Sequence, residues 1–157
     1  MKKFDKENKE MDFQTIISNE VDRQRQEELK ISPQLLLGEL ILKLEAVNTP
    51  CKDGSEKEVR FDFGYFRPTN LDSWRGIYAE LALGYSETEK DITVNELIKI
   101  LKEAIGKTYT GYKGGDFVMG KNTPIWVSNY SESPSTGIIG VKDLGWLIIL
   151  QTDWLEC

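Results

Sequence analysis

The sequence predicts a single α+β domain in which about three helices, two N-terminal and one central, pack with a mostly antiparallel sheet. Three observations lead to this fold class. The chain has 157 residues, a length typical of one domain. Apolar residues recur at helical spacing in three segments before residue 106. After that residue, short segments with strand-like alternation follow one another without an intervening helix, which favours antiparallel pairing.

The first helix is predicted to follow a charged tail. Residues 1–10 are expected to be disordered, so the domain is assigned to residues 11–157. Asp12 can cap a helix whose apolar positions repeat at helical spacing. Those positions are Phe13, Ile16, Ile17 and Val21.

The second helix is predicted over Pro33 to Val47, with Ser32 as its N-cap and Pro33 at the first helical position. Its leucine and isoleucine side chains cover most of the helix circumference. A helix this apolar is a core element or an interface, so we expect a homo-oligomer that uses this helix or the one before it.

The third helix is predicted over Val94 to Ile105. Thr93 and Glu96 form a capping box at its start, and Gly106 is placed to end it in a left-handed conformation.

Strands are predicted on both sides of the third helix. Before it, Val59 to Phe63 and Trp74 to Tyr85 alternate, and Gly64 to Ser73 is expected to be a loop around Pro68. In the longer strand, Ile77, Ala79, Leu81, Leu83 and Tyr85 are expected to face the core. After it, strands are predicted at Thr108–Tyr112, Asp116–Met119, Ile125–Tyr130, Gly137–Val141 and Trp146–Thr152. The tryptophans of this half, Trp126, Trp146 and Trp154, are expected to pack in the core or on a sheet face.

Composition excludes several kinds of chemistry. Twenty basic and 26 acidic residues give a formal net charge of −6, which opposes attraction to phosphate backbones, so we expect no direct nucleic-acid binding. The sequence contains no histidine, which excludes Ser–His and Cys–His nucleophile pairs and histidine-dependent zinc sites. We therefore expect no metal, no cofactor and no catalytic residues of these kinds. Chemistry based on carboxylates or lysine stays open.

Cellular location is predicted from the cysteines and from hydropathy. Cys51 and Cys157 are expected to be reduced thiols. The charged N-terminal residues have no apolar stretch behind them, and no apolar run approaches the length of a membrane span. These features predict a cytoplasmic protein without membrane association.

Two segments are candidates for binding. Trp74-Arg75-Gly76 is followed by Tyr78 and Glu80, and arginine with tryptophan is a combination that often anchors interfaces. Tyr112-Lys113-Gly114-Gly115 combines an aromatic ring and a cation with backbone that permits close approach. Binding an anion against a net negative charge needs local cations, so we expect the two segments to share one surface. The alternatives are a structural salt bridge of Arg75 beside a half-buried Trp74, and an ordinary hairpin turn.

Four runs stand out as a set: 61–64 (FDFG), 73–83 (SWRGIYAELAL), 106–115 (GKTYTGYKGG) and 123–127 (TPIWV). Together they resemble small uncharacterised proteins encoded by tailed bacteriophages and prophages, over most of the chain from about Leu35 onward. The resemblance implies a virus–host setting in the cytoplasm of the host cell. Small phage proteins in that setting often antagonise bacterial defence. It supplies no catalytic residues.

The function expected from these observations is that of a non-enzymatic phage accessory protein that inhibits or sequesters a host defence component. The partner would be a defence protein or a nucleotide-type small molecule. Two alternatives stay open. One is a small enzyme that uses carboxylate and lysine chemistry on a phosphorylated small molecule, and the other is a structural or assembly protein.

Overall fold

The computed structural model describes residues 33–64, 66–87, 90–128 and 135–155 of the chain. By its internal contacts the chain divides into two units, Met1–Pro33 and Gln34–Cys157, and the architecture given below is that of the second unit. The predicted tail over residues 1–10 and the predicted helix from Asp12 to Val21 lie outside the described residues.

The described residues form two helices and eight strands. The helices are α1 (Leu37–Ala46) and α2 (Val94–Ala104). The strands are β1 (Glu58–Phe61), β2 (Arg67–Ser73), β3 (Leu81–Ser86), β4 (Thr108–Thr110), β5 (Asp116–Val118), β6 (Ile125–Val127), β7 (Thr136–Asp143) and β8 (Leu147–Trp154). The α+β class predicted from the sequence is therefore correct.

Six strands form one sheet in the order β1-β8-β7-β6-β3-β2, and β4 with β5 forms a separate two-stranded ribbon. Four pairings are antiparallel, namely β2 with β3, β6 with β7, β7 with β8, and β4 with β5. The pairings of β1 with β8 and of β3 with β6 are parallel. Consequently β1, β8, β6 and β3 all run in one direction. We call the end where they begin the amino edge of the sheet and the opposite end the carboxyl edge.

Helix α1 begins four residues later than the sequence predicted. The residues before it are extended because they pair with distant strands. The Leu35 amide donates to the Ile138 carbonyl at 2.8 Å, and the Leu35 carbonyl accepts from the Ile125 amide at 3.3 Å. The helix starts where the Leu36 amide donates to the Glu39 carboxylate at 2.9 Å. Nearly all of the apolar side chains assigned to this helix are buried within the chain.

Helix α2 forms as predicted, within one residue at its end. The Thr93 hydroxyl accepts from the Glu96 amide, and the Glu96 carboxylate accepts from the Thr93 amide, so the capping box is present. Gly106 follows with a φ of +81°, the left-handed conformation that ends many helices at glycine.

The predictions for residues 67–80 are wrong. The expected loop around Pro68 is strand β2, and the first half of the expected strand, residues 75–80, is a loop between β2 and β3. Proline is tolerated in β2 because this strand lies at the edge of the sheet, where proline is commonly found. Ile77 and Ala79, predicted to face the core, are exposed, whereas Leu81 and Leu83 are fully buried.

Two apolar clusters form on the two faces of the sheet. Leu81 and Leu83 belong to the main core, which also contains the buried residues of both helices. The intervening Ala82 belongs to a smaller cluster with Trp74, Trp126 and Leu155. Successive side chains of a strand point to opposite faces, so this second cluster backs the sheet on the face away from the helices.

The three C-terminal tryptophans differ in burial. Trp126 is buried, as predicted. Trp146 is 56% exposed and Trp154 is 55% exposed, so the prediction of packed side chains is wrong for both. Trp146 lies in the turn just before β8, and Trp154 is the last residue of β8. Among the described residues, neither helix has the length and hydropathy needed to cross a membrane.

Candidate functional site

The loop that carries Arg75 is fixed to the sheet at both ends. The Trp74 amide donates to the Glu80 carbonyl at 2.7 Å, and the Glu80 amide donates to the Ile77 carbonyl at 2.9 Å. The Ser73 hydroxyl donates to the Tyr78 carbonyl at 2.7 Å. These bonds fold residues 75–80 into a compact turn, so the exposed Arg75 stands on ordered backbone.

A stacked tryptophan pair supports this loop from below. The rings of Trp74 and Trp126 lie 3.9 Å apart at an angle of 8°. A Cβ added at Gly76 would lie 2.5 Å from the Trp74 ring, so glycine is needed there for the loop to cross the indole. Trp74 itself is almost completely buried. It therefore supports the surface and is not itself offered to a partner.

Glu80 is held by the same pair. Its carboxylate accepts a hydrogen bond of 2.7 Å from the Trp126 indole N–H. Burial raises the pKa of the Glu80 carboxyl, and the bond from Trp126 partly offsets this effect. Glu80 thus serves the packing of the tryptophan pair.

The second predicted segment forms the turn of the ribbon between β4 and β5. The Gly111 amide donates to the Gly115 carbonyl at 2.8 Å, and the Gly114 amide donates to the Gly111 carbonyl at 2.9 Å. Gly114 and Gly115 have φ values of +95° and +87°, a conformation that side-chain-bearing residues rarely adopt. The turn leaves Tyr112 and Lys113 exposed at its tip.

The structure brings the two segments together, which confirms the predicted proximity. The Arg75 guanidinium carbon lies 4.0 Å from the centroid of the Tyr112 ring, the geometry of a cation–π contact. Tyr78 fills the space between the segments: a Cβ added at Gly111 would lie 3.0 Å from its side chain. The Tyr78 ring also meets Phe117 of β5 edge to face at 6.4 Å.

We define the Arg75–Tyr112 surface as Arg75, Ile77, Tyr112 and Lys113, all of which are exposed. Neither Arg75 nor Lys113 pairs with a carboxylate among the residues that the structure describes. The salt bridge considered for Arg75 is therefore not formed there, and Glu80 bonds to Trp126 instead. The surface presents two available cations beside an exposed aromatic ring.

Several carboxylates have structural partners within the chain. Asp62 accepts from the amide and the hydroxyl of Thr152 at 2.9 and 2.6 Å. Asp143 pairs with Lys57 at 3.0 Å, and Asp116 accepts from the Thr110 hydroxyl at 3.1 Å. These bonds tie strands and turns to one another.

Two grooves were not predicted from the sequence. At the amino edge, the turn between β7 and β8 faces the loop before β1 across a space of about 630 Å³, beside Trp146. At the carboxyl edge, Phe63, Tyr85 and Trp154 border a space of about 460 Å³. Each groove combines segments far apart in the sequence, so no local motif marks it.

No family model, curated protein or solved structure matches the chain. A function can therefore be proposed only from the geometry of the chain and from its sequence. Within the described part of the chain, no group of three or more cysteine, aspartate or glutamate side chains is arranged to hold a metal ion.

Proposed function

We propose that the chain is a non-enzymatic binding protein whose Arg75–Tyr112 surface contacts acidic groups on a protein partner. The observation that carries this proposal is the exposed Arg75 guanidinium, held 4.0 Å over the Tyr112 ring. Stacking on the ring limits the freedom of the guanidinium before binding and leaves its N–H edge available to a carboxylate. Arginine and tyrosine placed in this way are typical interface anchors.

The form of the surface favours a protein over a small molecule. Small-molecule sites are concave and bury most of their ligand. The 65% exposure of Tyr112 instead offers an aromatic face to a partner, and the exposed Ile77 adds apolar area in the preceding loop. A nucleotide-type signal is the other outcome that the experiment must distinguish.

Binding is favoured over catalysis by what the nearby groups already do. Burial raises the pKa of the Glu80 carboxyl, but this group already accepts the hydrogen bond of the Trp126 indole N–H and so supports the tryptophan pair. Asp116, at the base of the turn, is bonded to Thr110. Turnover of phosphorylated small molecules by the wild-type chain would favour the enzymatic alternative.

The biological setting of the proposal comes from the resemblance to phage and prophage proteins. On that basis the partner is a bacterial defence protein, met in the cytoplasm of the host cell. An assembly role would instead place the chain in purified virions, so its detection there by mass spectrometry would favour the structural alternative.

The test compares matched variants in host cells. Tagged wild-type protein is purified beside Arg75→Ala and Tyr112→Ala, with Lys99→Ala as the control because Lys99 is an exposed cation on α2. Bound proteins and small molecules are identified by mass spectrometry. We expect one protein partner to be retained by the wild type and the control and lost with both surface variants. A nucleotide lost in the same pattern would replace the protein partner, and equal retention by all four chains would refute the proposal.

A defined probe gives an independent measurement. A fluorescent peptide with three Glu-Leu repeats should bind the wild type and bind Arg75→Ala about tenfold more weakly, since a lost charge contact of an interface anchor costs at least this much. Arg75→Ala should melt within about 2 °C of the wild type, because exposed charges contribute little to stability.

A further inference from the structure

The groove at the amino edge, which we call the Trp146 groove, differs in chemistry from the Arg75–Tyr112 surface. Its apolar side consists of Leu144 and Trp146, in the turn between β7 and β8. The opposite side is the loop from Cys51 to Glu58, which brings Asp53 and Glu56 to the groove. A volume of about 630 Å³ is enough to take side chains of another molecule.

The turn that presents Trp146 is held firmly. Asp143 accepts from the Gly145 amide at 2.9 Å, and the Leu144 amide donates to the Leu147 carbonyl at 2.8 Å. Asp143 is also bonded to the buried ammonium of Lys57 at 3.0 Å. A tryptophan that is 56% exposed on so well-bonded a turn loses little freedom when a partner covers it.

The facing loop is ordered as well. The Cys51 amide donates to the Ser55 carbonyl at 2.8 Å, and the Gly54 amide donates to the Cys51 carbonyl at 2.8 Å. The hydroxyl and amide of Ser55 donate to Asp53 at 2.6 and 2.9 Å. These bonds lower the pKa of the Asp53 carboxyl, so this side chain stays charged at neutral pH.

Charge selects what can enter. Three carboxylates line the groove, those of Asp53, Glu56 and Glu58, against one exposed cation, Lys52. Glu58 is paired with Arg60 at 3.4 Å, so the acidic character of the groove rests on Asp53 and Glu56. The Lys57 ammonium is buried and already bonded to Asp143, so it does not offset them at the surface. Anions are therefore repelled, whereas a lysine or arginine side chain can lay its stem on Trp146 and place its charge beside the carboxylates.

We propose that the Trp146 groove binds a basic, partly apolar peptide segment of a protein partner, with a cationic side chain over Trp146 and an apolar one against Leu144. Charge complementarity fixes the occupant as cationic, and the exposed apolar pair requires a segment that also carries apolar residues. This site is independent of the proposed function and does not use Arg75 or Tyr112.

The experiment uses fluorescently labelled peptides and the full chain. The probe has three Lys-Leu repeats, and the control has three Lys-Ser repeats. Fluorescence anisotropy should show that the Lys-Leu peptide binds more tightly than the Lys-Ser peptide. Its affinity should fall as salt is raised, because the contacts with the carboxylates are exposed.

Variants locate the site. Trp146→Ala should weaken binding of the Lys-Leu peptide by about tenfold or more, as expected for an aromatic anchor. Trp154→Ala is the matched control, since it removes an equally exposed tryptophan at the other end of β8 and should leave the affinity unchanged. Glu56→Gln should weaken binding without loss of fold, which circular dichroism checks, because Glu56 is exposed.

Three results would overturn the proposal. The first is the absence of binding of the Lys-Leu peptide at about 1 mM, the weak end of measurable affinities. The second is an unchanged affinity in Trp146→Ala. The third is a larger loss of affinity in Trp154→Ala than in Trp146→Ala. Arg75→Ala should bind the Lys-Leu peptide as the wild type does. A failure of the Arg75–Tyr112 surface and a failure of the Trp146 groove are therefore distinguishable.

Discussion

Replacing Lys57 by methionine should destabilise the fold and loosen the turn that carries Trp146. The Lys57 side chain is 3% exposed. Its ammonium donates to the Val47 carbonyl and to the Thr49 hydroxyl, each at 3.0 Å, and to the Asp143 carboxylate. One cation thus joins the segment after α1, the start of β1 and the turn between β7 and β8. Methionine keeps the length of the stem and removes the charge.

The magnitude follows from these partners. Each hydrogen bond from a charged donor contributes about 1.5–3 kcal/mol, and removing one member of a fully buried ion pair costs about 3–5 kcal/mol. Asp143 is 35% exposed, so water can solvate it after the change, and the desolvation cost of burying the ammonium is also relieved. We therefore expect Lys57→Met to lower the free energy of unfolding by about 2–4 kcal/mol.

Urea denaturation followed by circular dichroism measures this loss. Asp143→Asn and the double variant complete a mutant cycle, in which we expect a coupling energy of about 1 kcal/mol or more. A loss below about 1 kcal/mol for Lys57→Met would refute the structural role of the ammonium. A coupling energy near zero would show that the ion pair with Asp143 does not contribute.

The cycle should also depend on pH. The Gly145 amide, and after it Lys57, hold the pKa of the Asp143 carboxyl below its ordinary value. A carboxyl whose pKa is lower in the folded than in the unfolded chain stabilises the fold above the unfolded pKa, and this contribution disappears as the pH falls through the folded pKa. The coupling between Lys57 and Asp143 should therefore persist at neutral pH and decline below about pH 4.

Three further changes test the packing. Leu101→Ala removes a fully buried side chain of α2 and should cost about 2–5 kcal/mol in urea denaturation, a range that a loss under 1 kcal/mol would contradict. Gly76→Ala forces a Cβ to within 2.5 Å of the Trp74 ring and should alter the near-ultraviolet circular dichroism of the tryptophan pair, whereas an unchanged spectrum would mean that the loop is free to move. Burial raises the pKa of the Glu80 carboxyl, so the ionised form destabilises the fold. Glu80→Gln keeps an acceptor for Trp126 and should be more stable than the wild type at pH 8, and equally stable at a pH where Glu80 is protonated. Equal stability of the two proteins at both pH values would refute this.

The parts of the fold that follow from local chemistry could be predicted. Helix α2 has its cap, its apolar stripe and its terminal Gly106 within one short segment, so its limits were predicted almost to the residue. The start of α1 could not be predicted, because the extended conformation of Gln34 and Leu35 depends on partners far along the chain. The Gln34 side chain, for example, donates to the carbonyl of Ile125, 91 residues later.

The candidate site shows the same division. The proximity of Arg75 and Tyr112 was predicted because binding an anion against a net charge of −6 requires cations to be gathered in one place. The buried position of Trp74 could not be predicted from the sequence, because its stacking with Trp126 is a tertiary contact. The homo-oligomer stays a prediction. The argument for it was the apolar surface of the second predicted helix. That argument is weakened because most of the apolar side chains of this helix are buried within the chain, and Leu42 is the main exposed one.

Both proposed surfaces lie at the amino edge of the sheet, where β3 and β8 begin. The loop with Arg75 precedes β3 and the turn with Trp146 precedes β8, and these strands run in the same direction three positions apart. With about 4.8 Å between strands, the two loops are separated by at least about 14 Å.

A peptide that joins the Glu-Leu and Lys-Leu segments tests whether one partner can occupy both surfaces. A linker of about six glycine and serine residues spans about 20 Å when extended and should raise the affinity about a hundredfold over either segment alone. A one-residue linker, which spans about 3.5 Å, shortens the reach between the segments and should give a smaller gain. An affinity no higher than that of the tighter single segment would show that the surfaces are not engaged together, and a gain that survives in Trp146→Ala would place the second contact elsewhere.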